Sequence, residues 1–470
     1  METISYLNIK VEGFPFQKVR SLSIRHVPNE HAMAKVVGEA DTQTVQDSLQ
    51  RLDERSIILI TAAAEGQPKK LFCGIIAATS LQQDNAYSLV TLELCSTSRL
   101  TDVVKKNKTY QNTAATYEKT IGGNIEDIAD VHMMVSDRAI GALVMQYGET
   151  DWEFAKRMAS RLDAPLTANL FSERSQIYVG LPPACRRVSE DTAFFDYGSD
   201  TEGLAGSPGA MAEDFSGETV RSYAYAYLGD EVLFNGRVRN IKSVEASLED
   251  GILQMKYGLL GGGGGGTGGT GSRFAGIAVP KTANAQASGK MMKGRVQAVQ
   301  GDKVQVFLTS VDKEYDTGGN WWFPYSTTYS SSDGSGWYCM PEEEDEVLVF
   351  FPSGEEGEAF AASSVCASPP SNPHNKSWKA PGGKEILLTD EGMYIIGKSG
   401  KIFINLTDED GIDIHSDKDI TISSEAKVSI TASKDVHIIA SNQVVIGTED
   451  AYLELTENTA TLAAGEVLIN

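Results

Sequence analysis

The segment that most resembles a site for chemistry is Gly392-Met393-Tyr394-Ile395-Ile396-Gly397-Lys398-Ser399, which fits the phosphate-loop pattern G-x-x-x-x-G-K-S. Phosphate binding needs such a loop to lead into a helix, whose first amides hold the anion. Here the middle residues are bulky and apolar, and Lys401-Ile402-Phe403-Ile404-Asn405 continues as a strand. No nucleotide site is expected. The run Gly261 to Gly271 has nine glycines in eleven positions and so contains G-x-G-x-x-G by composition alone. No strand–turn–helix pattern surrounds it, so it reads as a flexible loop. The six histidines, His26, His31, His132, His374, His415 and His437, form no H-E-x-x-H and no His-x-His pair. The five cysteines, Cys73, Cys95, Cys185, Cys339 and Cys366, are scattered, with no C-x-x-C; a zinc site or disulfide framework would cluster them. Thr407-Asp408-Glu409-Asp410-Gly411 is an acidic turn without the remaining spacing of a calcium loop. No catalytic residue, metal or cofactor is expected, and the chain reads as non-enzymatic.

The elements that carry these residues are mostly strands. The chain has 470 residues, 41% of them hydrophobic, and a formal net charge of −23. That length suits two to four domains. The acidity argues against a nucleic-acid surface, which works through Lys and Arg. No apolar run is long enough for a membrane span. The first residues lack the basic-then-apolar pattern of a secretory signal, so assembly in the cytoplasm is expected.

Alternating segments at Ile4–Ile9, Val19–Ile24 and Ser56–Ile60 predict half-buried strands of a small barrel, with a helix near Thr44–Leu52. Asp151–Leu162 reads as a helix, opened by a Thr150/Glu153 capping box, with Phe154, Met158 and Leu162 on one face. Further strands are expected at Gln176–Val179, Tyr223–Tyr227 and Val232–Val238. After the glycine run, Gly294–Val299 and Lys303–Phe307 flank a Gly301-Asp302 turn. An aromatic stretch (Trp321, Trp322, Phe323, Pro324), Trp337–Pro341 and Glu346–Phe351 follow. Five or so short strands in this span fit an OB-type barrel.

Everything after about residue 384 repeats. Apolar pairs flank one outward residue at Ile386/Leu388, Tyr394/Ile396, Ile402/Ile404, Ile412/Ile414, Ile420/Ile422, Val428/Ile430, Val436/Ile438, Val444/Ile446, Leu453/Leu455, Ala460/Leu462 and Val467/Ile469. From Ile412 to Val444 the step is eight residues, four times in succession. Side chains alternate along a strand, so each pair shares one face; Ser, Asp, Lys, Asn and Gly make the corners. One such strand cannot bury its face alone, and eight residues are too few for a turn of a one-chain solenoid. Three chains, each supplying one face, solve this: the apolar pairs become the core of a trimeric prism, with Thr421, Ser429 and His437 pointing outward. A carbohydrate-active enzyme on a β-solenoid would need clustered carboxylates on that outer face, and these positions offer none. The expected fold is therefore mainly β. Hub barrels with minor helices occupy 1–260, a glycine-rich linker 261–288 and an OB-type barrel 289–368. A second linker at 369–383 leads to a triple-stranded β-helix needle at 384–470.

At this point the sequence resembles the VgrG spikes of type VI secretion systems and the fused hub and spike proteins of contractile phage tails. Tyr147–Phe154 looks like the segment that opens a helix in the family's hub. Trp337-Tyr338-Cys339-Met340-Pro341, followed by Asp345–Phe350, is similar to its OB segment, and the octads to its needle. Glu344 stands where the family's usual glycine precedes Asp345-Glu346. The glycine run, the short needle and the lack of a further domain after Asn470 also depart from type VI spikes, and favour a phage-tail-like or extracellular particle. The resemblance implies a homotrimer whose paired barrels seat a hexameric inner tube protein. It also implies contacts with baseplate proteins, a small conical tip protein on the needle end, and transient contact with a target membrane. A trimeric β-helical phage fibre or adhesin is the competing expectation; it would share the prism and lack the hub barrels.

Overall fold

The computed structural model describes residues 3–53, 55–63, 68–84, 87–189, 194–200, 217–234, 236–260, 274, 276–366 and 368–468. The glycine run and Ile469 lie outside them. The chain divides into two compact units, Met1–Ala367 and Ser368–Asn470.

The first unit is built on a twelve-stranded sheet. Six strands come from residues 9–96, in the order Ile9–Glu12, Ile57–Ala62, Lys69–Asp84, Tyr87–Ser96, Met33–Asp41, Lys18–His26. The other six come from residues 187–259. The two halves join through Lys18–His26, which pairs antiparallel with Arg237–Glu249 at four positions. Each half alternates apolar and polar residues, and the apolar set packs into one core that includes Leu22, Ile60, Phe72, Leu92, Val220 and Tyr257. The first expected strand is shorter than its alternation suggests. Tyr6–Asn8 is a 3-10 turn, closed because Asn8 Oδ1 accepts from the amide and hydroxyl of Ser5. The helix near Thr44 spans Thr42–Leu49 (α1), its start set by Asp41, whose carboxylate accepts from the Thr44 amide. Tyr223–Tyr227 is not a strand: the strand is Gly217–Ser222, and the chain bends after it. Val232–Val238 is two strands, Glu231–Phe234 and the start of Arg237–Glu249.

Helix Asp151–Arg161 (α3, after the short α2 at Tyr117–Gly122) carries both bonds of the Thr150/Glu153 capping box. Its Trp152, Phe154 and Met158 bury against Leu166, Ile177 and Val179. A five-stranded antiparallel sheet follows in the order Phe323–Pro324, Lys303–Phe307, Lys290–Gln300, Glu346–Phe351, Phe360–Ser364. It encloses Val296, Val304, Phe323, Val347 and Phe351.

The hub and this small barrel are not separate bodies. Strand Val144–Glu149 and the residue before it serve two cores by simple alternation. Val144 enters the core around α3, whereas Leu143 and Met145 complete that of the barrel. Part of the expected linker 261–288 is likewise fixed. Asn284 and Ala287 are buried, and the Asn284 side chain donates to the Met145 carbonyl at 3.1 Å.

In the second unit Lys376–Lys379, inside the expected linker 369–383, is already a strand. It starts a five-stranded antiparallel meander with Glu385–Leu388, Gly392–Ile396, Phe403–Thr407 and Gly411–His415. Gln443–Gly447, Tyr452–Thr456 and Ala460–Ala463 form a second meander. Between them, residues 416–442 form no strand within the chain.

Candidate functional site: an unpartnered needle face and a charged seam

Cross-strand register sets which needle residues share a face. In the first meander Trp378, Ile386, Ile395, Ile404 and Ile414 are aligned, as are Leu388, Met393, Leu406 and Ile412. Three expected core positions stand apart from these rows. Tyr394 and Ile396 lie on the opposite face, beside Leu387 and Phe403, and Ile402 precedes its strand. The reason is that Met393-Tyr394-Ile395-Ile396 is apolar on both faces. The pattern alone left the parity open, and pairing with Glu385–Leu388 decides it. In the second meander Val444, Ile446, Leu453, Leu455, Ala460 and Leu462 share a face.

These faces are uncovered within one chain. Among the described residues from 368 onward, none is buried. Ile412 is 71% exposed, Ile422 73% and Ile430 72%; Ile420, Val428, Val436, Ile438 and Val467 also stand largely in solvent. Patches of this extent mark contact surfaces.

The second feature is the seam between hub and barrel. Arg157, on α3, is 2% exposed. Its Nη1 donates to Glu356 Oε1 at 2.7 Å, its Nε to Glu149 Oε1 at 2.7 Å, and its Nη2 to the Met145 carbonyl at 2.7 Å. Arg161 Nη2 reaches the other oxygen of Glu356 at 2.6 Å. Burial opposes the Arg157 charge, but hydrogen bonds to Glu149 and Glu356 and the fields of both carboxylates outweigh it and raise its pKa. A buried charge without such partners costs several kcal/mol, so all four groups are needed together. Nearby, the Thr109 amide and hydroxyl both donate to Asp312, whose carboxyl burial pushes above its ordinary value. Gln111 donates to the Val306 carbonyl at 3.0 Å. The pairings with Glu356, Asp312 and Val306 were not readable from spacing, because those partners are about 200 residues away.

The fold also assembles a serine–histidine–aspartate chain that no local motif announces. His31 Nδ1 lies 2.7 Å from Ser98 Oγ and its Nε2 3.2 Å from Asp102 Oδ2, with the ring tilted against Trp152 at 4.2 Å between centroids. Ser98 is 0% exposed, so no substrate reaches its hydroxyl. Asp102 also accepts from Thr150 and Arg99, so the network ties the 3-10 segment Thr97–Asp102 to the start of α3. Burial, only partly offset by Asp102, lowers the His31 pKa.

The phosphate-loop pattern sits on strand Gly392–Ile396 and the turn after it, with no helix behind. Cys73 and Cys95 are buried, which pushes each thiol up to about 11, and Cys185, Cys339 and Cys366 are exposed. Among the described residues no group of three or more His, Cys, Asp or Glu is placed to hold a metal ion, and no helix is long and apolar enough to cross a membrane.

Residues 292–365, which contain most of the five-stranded sheet, match the type VI secretion system/phage-baseplate injector OB domain. The chain has the fold of a VgrG-like hub and spike. The Escherichia coli c3393 protein is described as a component of the type VI secretion system with structural similarity to the T4 tail proteins gp27 and gp5. It superposes with a TM-score of 0.54 at 13% identity, over 76% of this chain and 99% of the other. A chain of the lidless PdpA–VgrG complex gives 0.53 at 8% identity, covering 87% and 97%. One from the lidded Francisella PdpA–VgrG complex gives 0.51 at 7%, covering 84% and 76%. At these identities the likeness shows the fold. No curated protein matches the sequence.

Proposed function

We propose that three copies of this chain form the central hub and spike of a contractile injection particle and act mechanically, without catalysis. The observation that carries this reading is the uncovered needle: about a hundred residues with regular apolar faces and no buried side chain among those described. Two further copies supply the missing cover. The hub supports the same stoichiometry, because each chain contributes two six-stranded half-sheets, and three chains then present six to a hexameric inner tube. The Arg157–Glu356 seam suits a part that passes thrust from hub to barrel without yielding. Baseplate proteins would surround the hub, a small conical tip protein would cap the needle, and the target membrane would be met only in passing. Assembly takes place in the cytoplasm, and the particle then carries the spike outward.

The test is the oligomeric state of the purified full chain, by light scattering together with negative-stain imaging. A stubby trimer with a broad head is expected. A folded monomer at micromolar concentration would refute the reading, and a thin fibre would favour an adhesin.

A further inference from the structure

Apart from an isolated bridge between Ser5 and Ile252, the two halves of the hub sheet meet at a short strand joint. Strand Lys18–His26 pairs with Arg237–Glu249 at only four positions: Ser23 with Ser247, Ile24 with Ala246, Arg25 with Glu245, and His26 with Val244. Neighbouring strands within the first half, Met33–Asp41 and Tyr87–Ser96, pair at nine. The last position of the joint is unusual. His26 is 3% exposed, and neither of its ring nitrogens has a hydrogen-bond partner of ordinary geometry. It borders a cavity of about 10 Å³, shared with Ile24, Leu170, Tyr225, Ala226, Tyr227, Val244, Ala246 and Met255. That space is about what one water molecule needs, far too little to hydrate a cation.

We propose that this joint is acid-labile, with the unpartnered imidazole of His26 as its titrating group. The groups facing the ring offer a proton no compensation. Strand Arg237–Glu249 presents Val244 and Ala246, and strand Ile252–Leu259 presents Met255. Tyr225 and Tyr227, beside the ring, are phenols that burial holds neutral far into the alkaline range, as it does Tyr257 behind them. Asp230, the nearest carboxylate in that segment, accepts from the amides of Cys185, Arg186 and Tyr227. From the segment around Leu170 only the Ala168 backbone favours the charged ring, and burial outweighs it. On the histidine's own strand, Arg25 is engaged by Glu30.

Burial lowers the His26 pKa from 6.5 to about 4. The folded joint therefore takes up fewer protons than the unfolded chain between those values. Its stability is fully present above pH 6.5 and is lost as the pH falls towards 4. The loss approaches tenfold in the opening equilibrium per pH unit, by roughly the linkage relation for one group. This inference does not depend on the spike reading, because the joint lies within one chain.

The experiment uses the full-length protein. Histidine C2-proton exchange read by mass spectrometry gives the His26 pKa directly. Amide exchange, corrected for its intrinsic pH dependence, reads the joint from pH 7.5 to 4.5. The expected result is a His26 pKa well below 6. Protection at 23–26 and 244–247 should fall by at least tenfold on acidification, with less change at the pairing of 33–41 with 87–96. His26→Leu should flatten the pH dependence. A His26 pKa near 6.5, or protection at the joint that stays level or falls only in step with the rest of the sheet, would overturn the proposal. So would an unaltered pH dependence in His26→Leu. If that variant does not fold, the two wild-type measurements decide alone.

Discussion

Glu344 shows how a single residue records what the backbone requires. It has φ of +72°, in the left-handed region where a side chain costs roughly 1–2 kcal/mol. The turn is needed there: the Glu344 amide donates to the Val296 carbonyl at 2.9 Å and Asp345 O accepts from the Val296 amide, which starts strand Glu346–Phe351 against Lys290–Gln300. The glycine that VgrG-like sequences favour at this place is thus a conformational demand. Here an ordinary residue meets it under strain, with only an exposed contact to Arg295 at 3.4 Å in return, and exposed pairs are worth little. Glu344→Gly relieves the strain and gives back part of the gain as unfolded-chain entropy, about 0.5–1 kcal/mol. The expected net effect is a stabilisation of roughly 0.5–1 kcal/mol, read as a higher denaturant midpoint for the first unit. A lower midpoint in the variant would mean that the Glu344 side chain contributes more than its exposed contact suggests.

At the scale of elements, the octads between the two meanders make the sharpest prediction. Residues 416–442 have regular apolar pairs and no strand partner inside the chain; under the proposed trimer their hydrogen bonds and apolar cover come from other copies. Ile422→Asp or Ile430→Asp would then place three like charges around one dry axis, at a cost of several kcal/mol per ion. Thr421→Asp and Ser429→Asp should be tolerated, since those side chains face water. Thermal melts of the assembled protein should show a large drop for the first pair and little change for the second; equal drops would show that the register is wrong. The same contrast explains what could be read in advance. Strict alternation placed Lys303–Phe307 and Glu346–Phe351 correctly, and the capping box placed α3, because both signals are local. Ile4–Ile9 and Tyr223–Tyr227 failed because turn hydrogen bonds override a short alternation. Tyr394 and Ile396 lie off the row of Ile386 and Ile395, because their strand is apolar on both faces and only pairing fixes its parity. The Arg157 network and the His31–Ser98–Asp102 chain were illegible because nothing near Arg157 or His31 in sequence names a partner so far away.

For the whole molecule the needle is a question of length and of who pairs with whom. The eleven apolar pairs of the sequence gain one more strand step from Lys376–Lys379. In both meanders successive strands stack within one chain, so the chain does not step to a new face at every strand, as an unbroken winding would require. Under the proposed trimer, only the octads from Ile420 to Ile438 are left to wind around the axis among three copies. The rise is the same in either mode, because each strand adds one spacing of ~4.8 Å, which gives a needle on the order of 50–60 Å for a dozen steps. A closed trimer also hides the strand edges that 416–442 would otherwise expose to aggregation. Deleting one octad, Ala426 to Ser433, removes one strand and one corner while keeping the phase of those on either side. The trimer and the hub should survive, and the needle should shorten by roughly 5 Å on the same spacing, measured by cryo-electron microscopy of the full-length protein. Deleting four residues of that octad instead would break the eight-residue phase in all three chains at once and should disrupt the trimer below that point. If both deletions were tolerated equally, the octads would be a flexible tether, and the winding of three chains around one axis would have to be abandoned.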